Sequence, residues 1–187
     1  MRIIAGKYKN KKIVTTLKGI SLTIKPTTSK VREAAFSIIL NYLEHNNQNV
    51  QHCSFLDLCC GTGAIGIEAI SRGFAPVYFV DQDRDCIALT KHNLSNISNK
   101  DFYVVIRSDI TKLQISSLKY FDVIYLDPPY SKEITESMLS YVSKFAHPQS
   151  LIVVETSKKF PVISVNNCRI IGHKSYNHCT ILMLVKI

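Results

Sequence analysis

The 187-residue sequence predicts an α/β fold with a mostly parallel sheet and a C-terminal antiparallel hairpin. Two patterns carry that expectation. From residue 53 onward, short and nearly continuous apolar runs alternate with helical stretches, as in a parallel sheet covered on both faces. The last two apolar runs instead follow one another with only GHKSYNHC between them, which reads as a hairpin. A basic β-hairpin and a helix precede the sheet.

In chain order, Ile3-Ile4 and Ile13-Val14 flank a Lys/Asn-rich turn and predict the N-terminal hairpin. Residues 18–26 read as a loop ending at Pro26. Thr27, Thr28 and Ser29 then offer N-cap oxygens for a helix to about Asn46, with Val31, Ala35, Ile38, Ile39 and Tyr42 on its apolar face. Strands are expected at Ser54–Leu58, Val77–Val80, Phe102–Arg107, Phe121–Leu126 and Leu151–Glu155. Helices are expected at Ala64–Arg72, Asp83–Ile97 and Glu133–Phe145, and the C-terminal strands at Val162–Ile171 and Thr180–Ile187. The domain reading is a basic hairpin and loop over residues 1–26, followed by one domain over residues 27–187.

Composition sets the outer limits. With 46% apolar and 20% charged residues the chain is globular rather than disordered. No apolar run approaches the ~18 residues that span a bilayer, and MRIIAGKYKNKK lacks a signal-peptide core. The six cysteines form no CxxC pair, so neither structural zinc nor a disulfide framework is expected. His173, His178 and Cys179 lie close together, but without a metal-ligand spacing they read as hairpin residues. The expectation is a cytoplasmic, metal-free protein, monomeric and without a membrane partner.

The net charge of +9 is segregated. Residues 1–32 hold nine basic side chains and no acid, whereas residues 33–187 hold 14 of each sign. A basic module beside a neutral body suits an anionic polymer, most naturally nucleic acid, although a solubilising tail has the same composition. Arg2, Lys7, Lys9, Lys11, Lys12 and Arg32 are the candidate nucleic-acid contacts.

The first strand of the sheet runs into Asp57-Leu-Cys-Cys-Gly61-Thr-Gly63-Ala-Ile-Gly66, a glycine turn opening a helix. Gly61, Gly63 and Gly66 match GxGxxG, and Asp81 lies 20 residues beyond Gly61, so a dinucleotide is one reading. Three points favour S-adenosylmethionine (SAM) instead. The remaining chain has no room for a complete second catalytic domain. Asp57 stands where a pyrophosphate would be repelled, while the ammonium and sulfonium of SAM would be attracted. Hydride transfer, finally, does not require the motif that ends the fourth strand. Asp81 could accept both ribose hydroxyls, and Asp109 the adenine amino group with Ile110 against the ring. Singly, each acid could be an ordinary strand-end cap.

The fourth strand ends in Asp127-Pro128-Pro129-Tyr130. Two prolines fix the backbone and remove two amide donors, leaving carbonyls to face a ligand. A planar amino group on a base is a poor nucleophile. Accepting its N–H bonds with the Asp127 carboxylate and the Pro128 carbonyl would favour a pyramidal nitrogen and redirect its lone pair. Tyr130 would stack on the base, worth ~1–3 kcal/mol. A base inside a duplex must flip out to reach such a pocket. The alternative is a Pro-Pro turn with an N-capping Asp.

MRIIAGKYKNKKI, KPTTSKVREAAF, FLDLCCGTGAIGIEAISRG, FVDQD and DPPY, in this order over residues 1 to about 155, resemble the bacterial RsmD-type methyltransferases. That family methylates the exocyclic N2 of a guanine in 16S rRNA of the small ribosomal subunit, using SAM. The resemblance implies a Rossmann-like SAM-dependent methyltransferase fold with an RNA-holding N-terminal hairpin. As partner it implies 16S rRNA or a small-subunit assembly intermediate. It also implies Asp57, Gly61, Gly63, Asp81 and Asp109 as cofactor contacts, with Asp127 and Tyr130 at the base. KPTTSKVRE resembles the family's PTT-x-x-VRE stretch beside the methionine end of SAM, which adds Thr28 and Arg32. The sequence departs from the family pattern at Cys59-Cys60, Lys25, Ser29-Lys30 and Tyr176-Asn177.

Overall fold

The computed structural model describes residues 1–17, 27–97, 102–115, 120–128, 135–157, 165, 167–177 and 179–187. Helix α1 (Ser29–His45) leads into strand β1 (Phe55–Leu58), α2 (Ala64–Arg72), β2 (Val77–Asp81), α3 (Arg84–Ser95) and β3 (Tyr103–Arg107). Strand β4 (Phe121–Leu126), α4 (Glu136–Val142), β5 (Ala146–Thr156), β6 (Cys168–Ser175) and β7 (Thr180–Lys186) complete the fold. The seven strands form one sheet in the order β3-β2-β1-β4-β5-β7-β6. The first five are mutually parallel, and β7 enters antiparallel between β5 and β6.

The alternation seen in the sequence becomes two packed layers because successive strand residues face opposite sides. Phe55, Phe79, Val123, Tyr125, Leu151 and Val153 face a core built with α1, α2 and the N-terminal segment. Leu56, Val80, Ile124, Leu126, Ile152 and Val154 face the core built with α4. Sheet order reverses between β1 and β4, and open α/β sheets bind ligands outside the carboxyl ends of the strands at such a point. Among the described residues no helix is long and apolar enough to cross a membrane.

Several boundaries differ from expectation. β5 begins at Ala146, because its pairing with β4 shifts register between Phe121 and Val123 and takes in the polar His147–Ser150. The helix expected over residues 133–145 begins, in its described part, at Glu136 with Thr135 as N-cap. The strand expected at residues 162–171 instead spans Cys168–Ser175, and the turn is closed by Tyr176 N–H donating to the Cys179 carbonyl at 2.7 Å. Residues 162–164 and His178 fall outside the described residues. Among those described, no group of His, Cys, Asp and Glu is arranged to hold a metal.

Residues 1–17 form a single bridge, Arg2 to Lys12, rather than two full strands. Their anchors are Ile3 and Ile13, each 1% exposed and part of the core shared with α1 and α2. The rest of the attachment is polar. Ile4 and Ala5 N–H donate to the Glu68 carboxylate at 2.8 and 3.0 Å, and Tyr8 N–H donates to Ser71 Oγ at 2.9 Å. A Cβ on Gly6 would collide with the Ser71 carbonyl, so only glycine fits against α2 there. Arg2, Lys7, Lys9, Lys11 and Lys12 remain exposed, and Lys7 and Lys11 sit over the Tyr8 ring at 5.5 and 5.1 Å.

Candidate active site

The glycine turn positions the first part of the site. Gly63 precedes α2 with φ +76° and has no side chain to cap the helix. Asp57 reaches over from β1 instead, its Oδ2 accepting from Gly66 N–H at 2.8 Å. That N–H is one of the orphan donors of the helix start, which favours a carboxylate there. Asp57 is only 1% exposed, and burial raises its carboxyl to about 8 against the Gly66 bond that lowers it. Asp57, expected as a cofactor contact, thus braces the turn through Gly66 and is not among the residues that line the cleft. Gly66 itself packs so tightly on Phe79 that a Cβ would overlap the ring.

Above the turn, two acids border a cleft lined also by Cys59, Ile110, Pro128 and Met138. Asp81, ending β2, accepts Gly61 N–H at 2.9 Å on one oxygen and Asp83 N–H at 2.9 Å on the other. Each carboxylate oxygen has two acceptor sites, so capacity remains for a ligand's hydroxyls. Asp109 follows β3 and accepts from Thr111 N–H and Oγ1, both at 2.8 Å. It is both a cap and a wall of the cleft, and Ile110 lies beside it. Cys59 has φ +58°, an uncommon conformation for a residue with a Cβ. Thr90 secures the turn by donating to the Gly61 carbonyl at 3.0 Å.

Asp127 and Pro128 follow β4 at the switch point. Asp127 is half-buried, and its Oδ2 accepts a 2.9 Å bond from the Thr27 hydroxyl. Burial holds its carboxyl well above the usual range, reinforced by Glu155 and Asp57 and opposed by Thr27. Thr28, expected at the cofactor, is the N-cap of α1, accepting from Val31 N–H at 3.3 Å. Its neighbour Thr27 is the residue that reaches the site. Tyr130 and Pro129 lie outside the described residues.

Arg32, expected at RNA, is corrected. It is 0% exposed, cannot meet RNA, and pairs with Glu68, Nε to Oε2 at 3.6 Å. One terminal nitrogen donates to the Arg2 carbonyl at 2.6 Å and the other to Met1 Sδ at 2.9 Å. Burial lowers its pKa, with Glu68 pulling the other way. Glu68, which sequence reasoning missed, thus joins the N-terminal segment, α1 and α2. Its signal was an acid inside the apolar run AIGIEAI.

A glycine turn opening α2, with Asp81, Asp109 and Pro128 from the carboxyl ends of β2, β3 and β4 around one cleft, is the arrangement of a Rossmann-like methyltransferase. Residues 1–185 match the family described as Conserved hypothetical protein 95, and the chain belongs to this RsmD-type family. The ribosomal RNA small subunit methyltransferase D of Haemophilus influenzae is 30% identical over 181 residues, covering 94% of this chain and 88% of its own. Bacillus subtilis YlbH is 34% identical over 149 residues, covering 78% and 75%. The solved structure of Escherichia coli yhhF shares the fold with TM-score 0.80 at 22% identity, covering 100% of this chain and 97% of its own.

Proposed function

We propose that the chain is a SAM-dependent rRNA methyltransferase acting on the exocyclic N2 of a guanine in 16S rRNA of the small ribosomal subunit. The observation that carries the reading is the placement of Asp127-Pro128 at the switch point, beside a cleft bordered by Asp81 and Asp109. Among the described residues lining that cleft there is no Lys or Arg. Acceptors without cations fit the hydroxyls, amino groups and positive charge of SAM and disfavour a pyrophosphate.

SAM, when bound, supplies a methyl group activated by the adjacent sulfonium. The chain orients its partner in an in-line displacement, where positioning and electrostatics do most of the catalysis. Asp127 accepts one N–H of the amino group, and the Pro128 carbonyl accepts the other. The nitrogen lone pair then leaves conjugation with the base. Tyr130, two residues beyond Pro128 in sequence, stacks on the flipped base. Arg2, Lys7, Lys9, Lys11 and Lys12 meet phosphates around the Tyr8 ring.

The test is incubation with labelled SAM and unmodified 30S particles or 16S RNA, followed by nucleoside analysis. N2-methylguanosine is the expected product. N6-methyladenine as the only product would replace guanine by adenine as the target, and no label in RNA would remove the reading.

A further inference from the structure

The carboxyl end of the sheet holds two acidic side chains, Asp57 and Glu155, that the proposed chemistry does not use directly. Tyr125 and Val153 are partners across β4 and β5, and Leu126 and Val154 are the next pair. The following row therefore brings Asp127 beside Glu155, on strands spaced about 4.8 Å apart. By the two-residue alternation, Asp57, Tyr125, Asp127 and Glu155 all face the α1–α2 layer. Glu155 is 4% exposed, and Tyr125, 0% exposed, donates its hydroxyl to Glu155 Oε2 at 3.0 Å.

We propose that Glu155, held by Tyr125, is a positioning residue that acts through Asp127 and governs the proton that Asp127 carries. The inference rests on the methyltransferase reading above. Methyl transfer forms an N–C bond as the S–C bond breaks, leaving a neutral thioether and a positively charged nitrogen with one proton too many. That proton passes to the Asp127 carboxylate that already accepts the N–H. A second buried carboxylate alongside makes Asp127 a stronger proton acceptor, since two neighbouring acids resist ionising together. The described groups facing this pair are Asp57 from β1, Tyr125 from β4, Thr27 before α1, and Arg32 of α1 on the Tyr125 side. Of these, Thr27 opposes the effect by stabilising the Asp127 anion.

Two measurements test it on the full chain. The first is the pH dependence of single-turnover methylation of unmodified 16S RNA. The second is 13C NMR titration of side-chain carboxyls, with the Asp127 signal assigned by its loss in Asp127→Asn. Glu155→Gln keeps shape while removing charge, and should move the Asp127 midpoint and the acid limb of the rate down by about one pH unit or more. Tyr125→Phe removes the hydroxyl that holds Glu155 in place and should move both the same way by less. Should Glu155→Gln fail to fold, Tyr125→Phe decides alone. An Asp127 midpoint that stays in place or rises overturns the proposal. Full turnover by Asp127→Asn would overturn the catalytic reading itself, whatever the carboxyl titration shows.

Discussion

Arg32 and Glu68 form an ion pair at 3.6 Å with neither side chain exposed to solvent. Glu68 also accepts from Ile4 and Ala5 N–H and from Arg72 Nε, so one carboxylate ties three segments together. Such a pair adds little net stability over an apolar one, but removing one partner strands a buried charge. Glu68→Gln should therefore cost about 3–5 kcal/mol in denaturant unfolding. A loss below 1 kcal/mol would show that solvent reaches the pair.

The same attachment changes how RNA binding must be probed. Deleting residues 1–17 would remove the partners of Arg32 and Glu68 together with the lysines. Lys7, Lys9, Lys11 and Lys12 are exposed, so replacing all four by Gln isolates their charge. At about 0.7 per neutralised phosphate on single strands, the log–log salt slope of RNA binding should become shallower by nearly 3. SAM binding should be unaffected. An unchanged slope would return these residues to the role of a solubilising tail.

Asp57 predicts a pH dependence of stability. Its carboxyl is raised from 3.8 in the ordinary state to about 8 in the fold. The folded chain thus keeps a proton that the unfolded chain loses above pH 4. The stability tied to that proton is complete below pH 4 and is lost as pH rises to about 8. Asp57→Asn lacks this loss, so its stability relative to the parent should improve across that window by a few kcal/mol. A constant difference from pH 4 to 8 would contradict the buried, protonated acid.

Gly66→Ala should be destabilised by about 1–3 kcal/mol, because the new methyl overlaps the Phe79 ring. Gly66→Ala with Phe79→Leu should recover part of the loss. Calorimetric unfolding of both variants checks it, and an additive double variant would show that the two sites do not share the space.

Asp81→Asn should weaken S-adenosylhomocysteine binding about tenfold or more by isothermal titration, as expected for lost hydrogen bonds to a charged acceptor. Asp81 also accepts Gly61 N–H, so the far-ultraviolet spectrum and melting temperature must be compared with the parent. Unchanged affinity would move the ligand's hydroxyls to another wall of the cleft.

The sheet was legible because central parallel strands are apolar on both faces, and Val123–Leu126 reads as one unbroken run. The acids at strand ends were legible for the same reason: each interrupts such a run. What local pattern does not carry is the partner of a polar side chain. Thr27 and Thr28 are equal candidates in sequence, and only Thr27 meets Asp127, 100 positions away. Arg32 reads as one more surface cation in a basic stretch, yet Glu68 draws it into the core. Glu155 merely prolongs an apolar strand until Tyr125 is seen to bond it. The early start of β5 was hidden by Pro148 and its polar neighbours, which lie in the irregularity between the Phe121–Ala146 and Val123–Leu151 pairs.

Strand β7 is synthesised after the other six strands of the sheet, yet it lies inside the sheet between β5 and β6. During translation the Leu151–Val154 stretch therefore waits with one side of its hydrogen-bonding ladder open, until residues 180–186 clear the ribosome. An unsatisfied apolar edge of this kind invites pairing with other nascent chains. Loss of β7 as a whole would leave that edge permanently open, so chains lacking residues 180–186 should accumulate as aggregates rather than as weakened monomers.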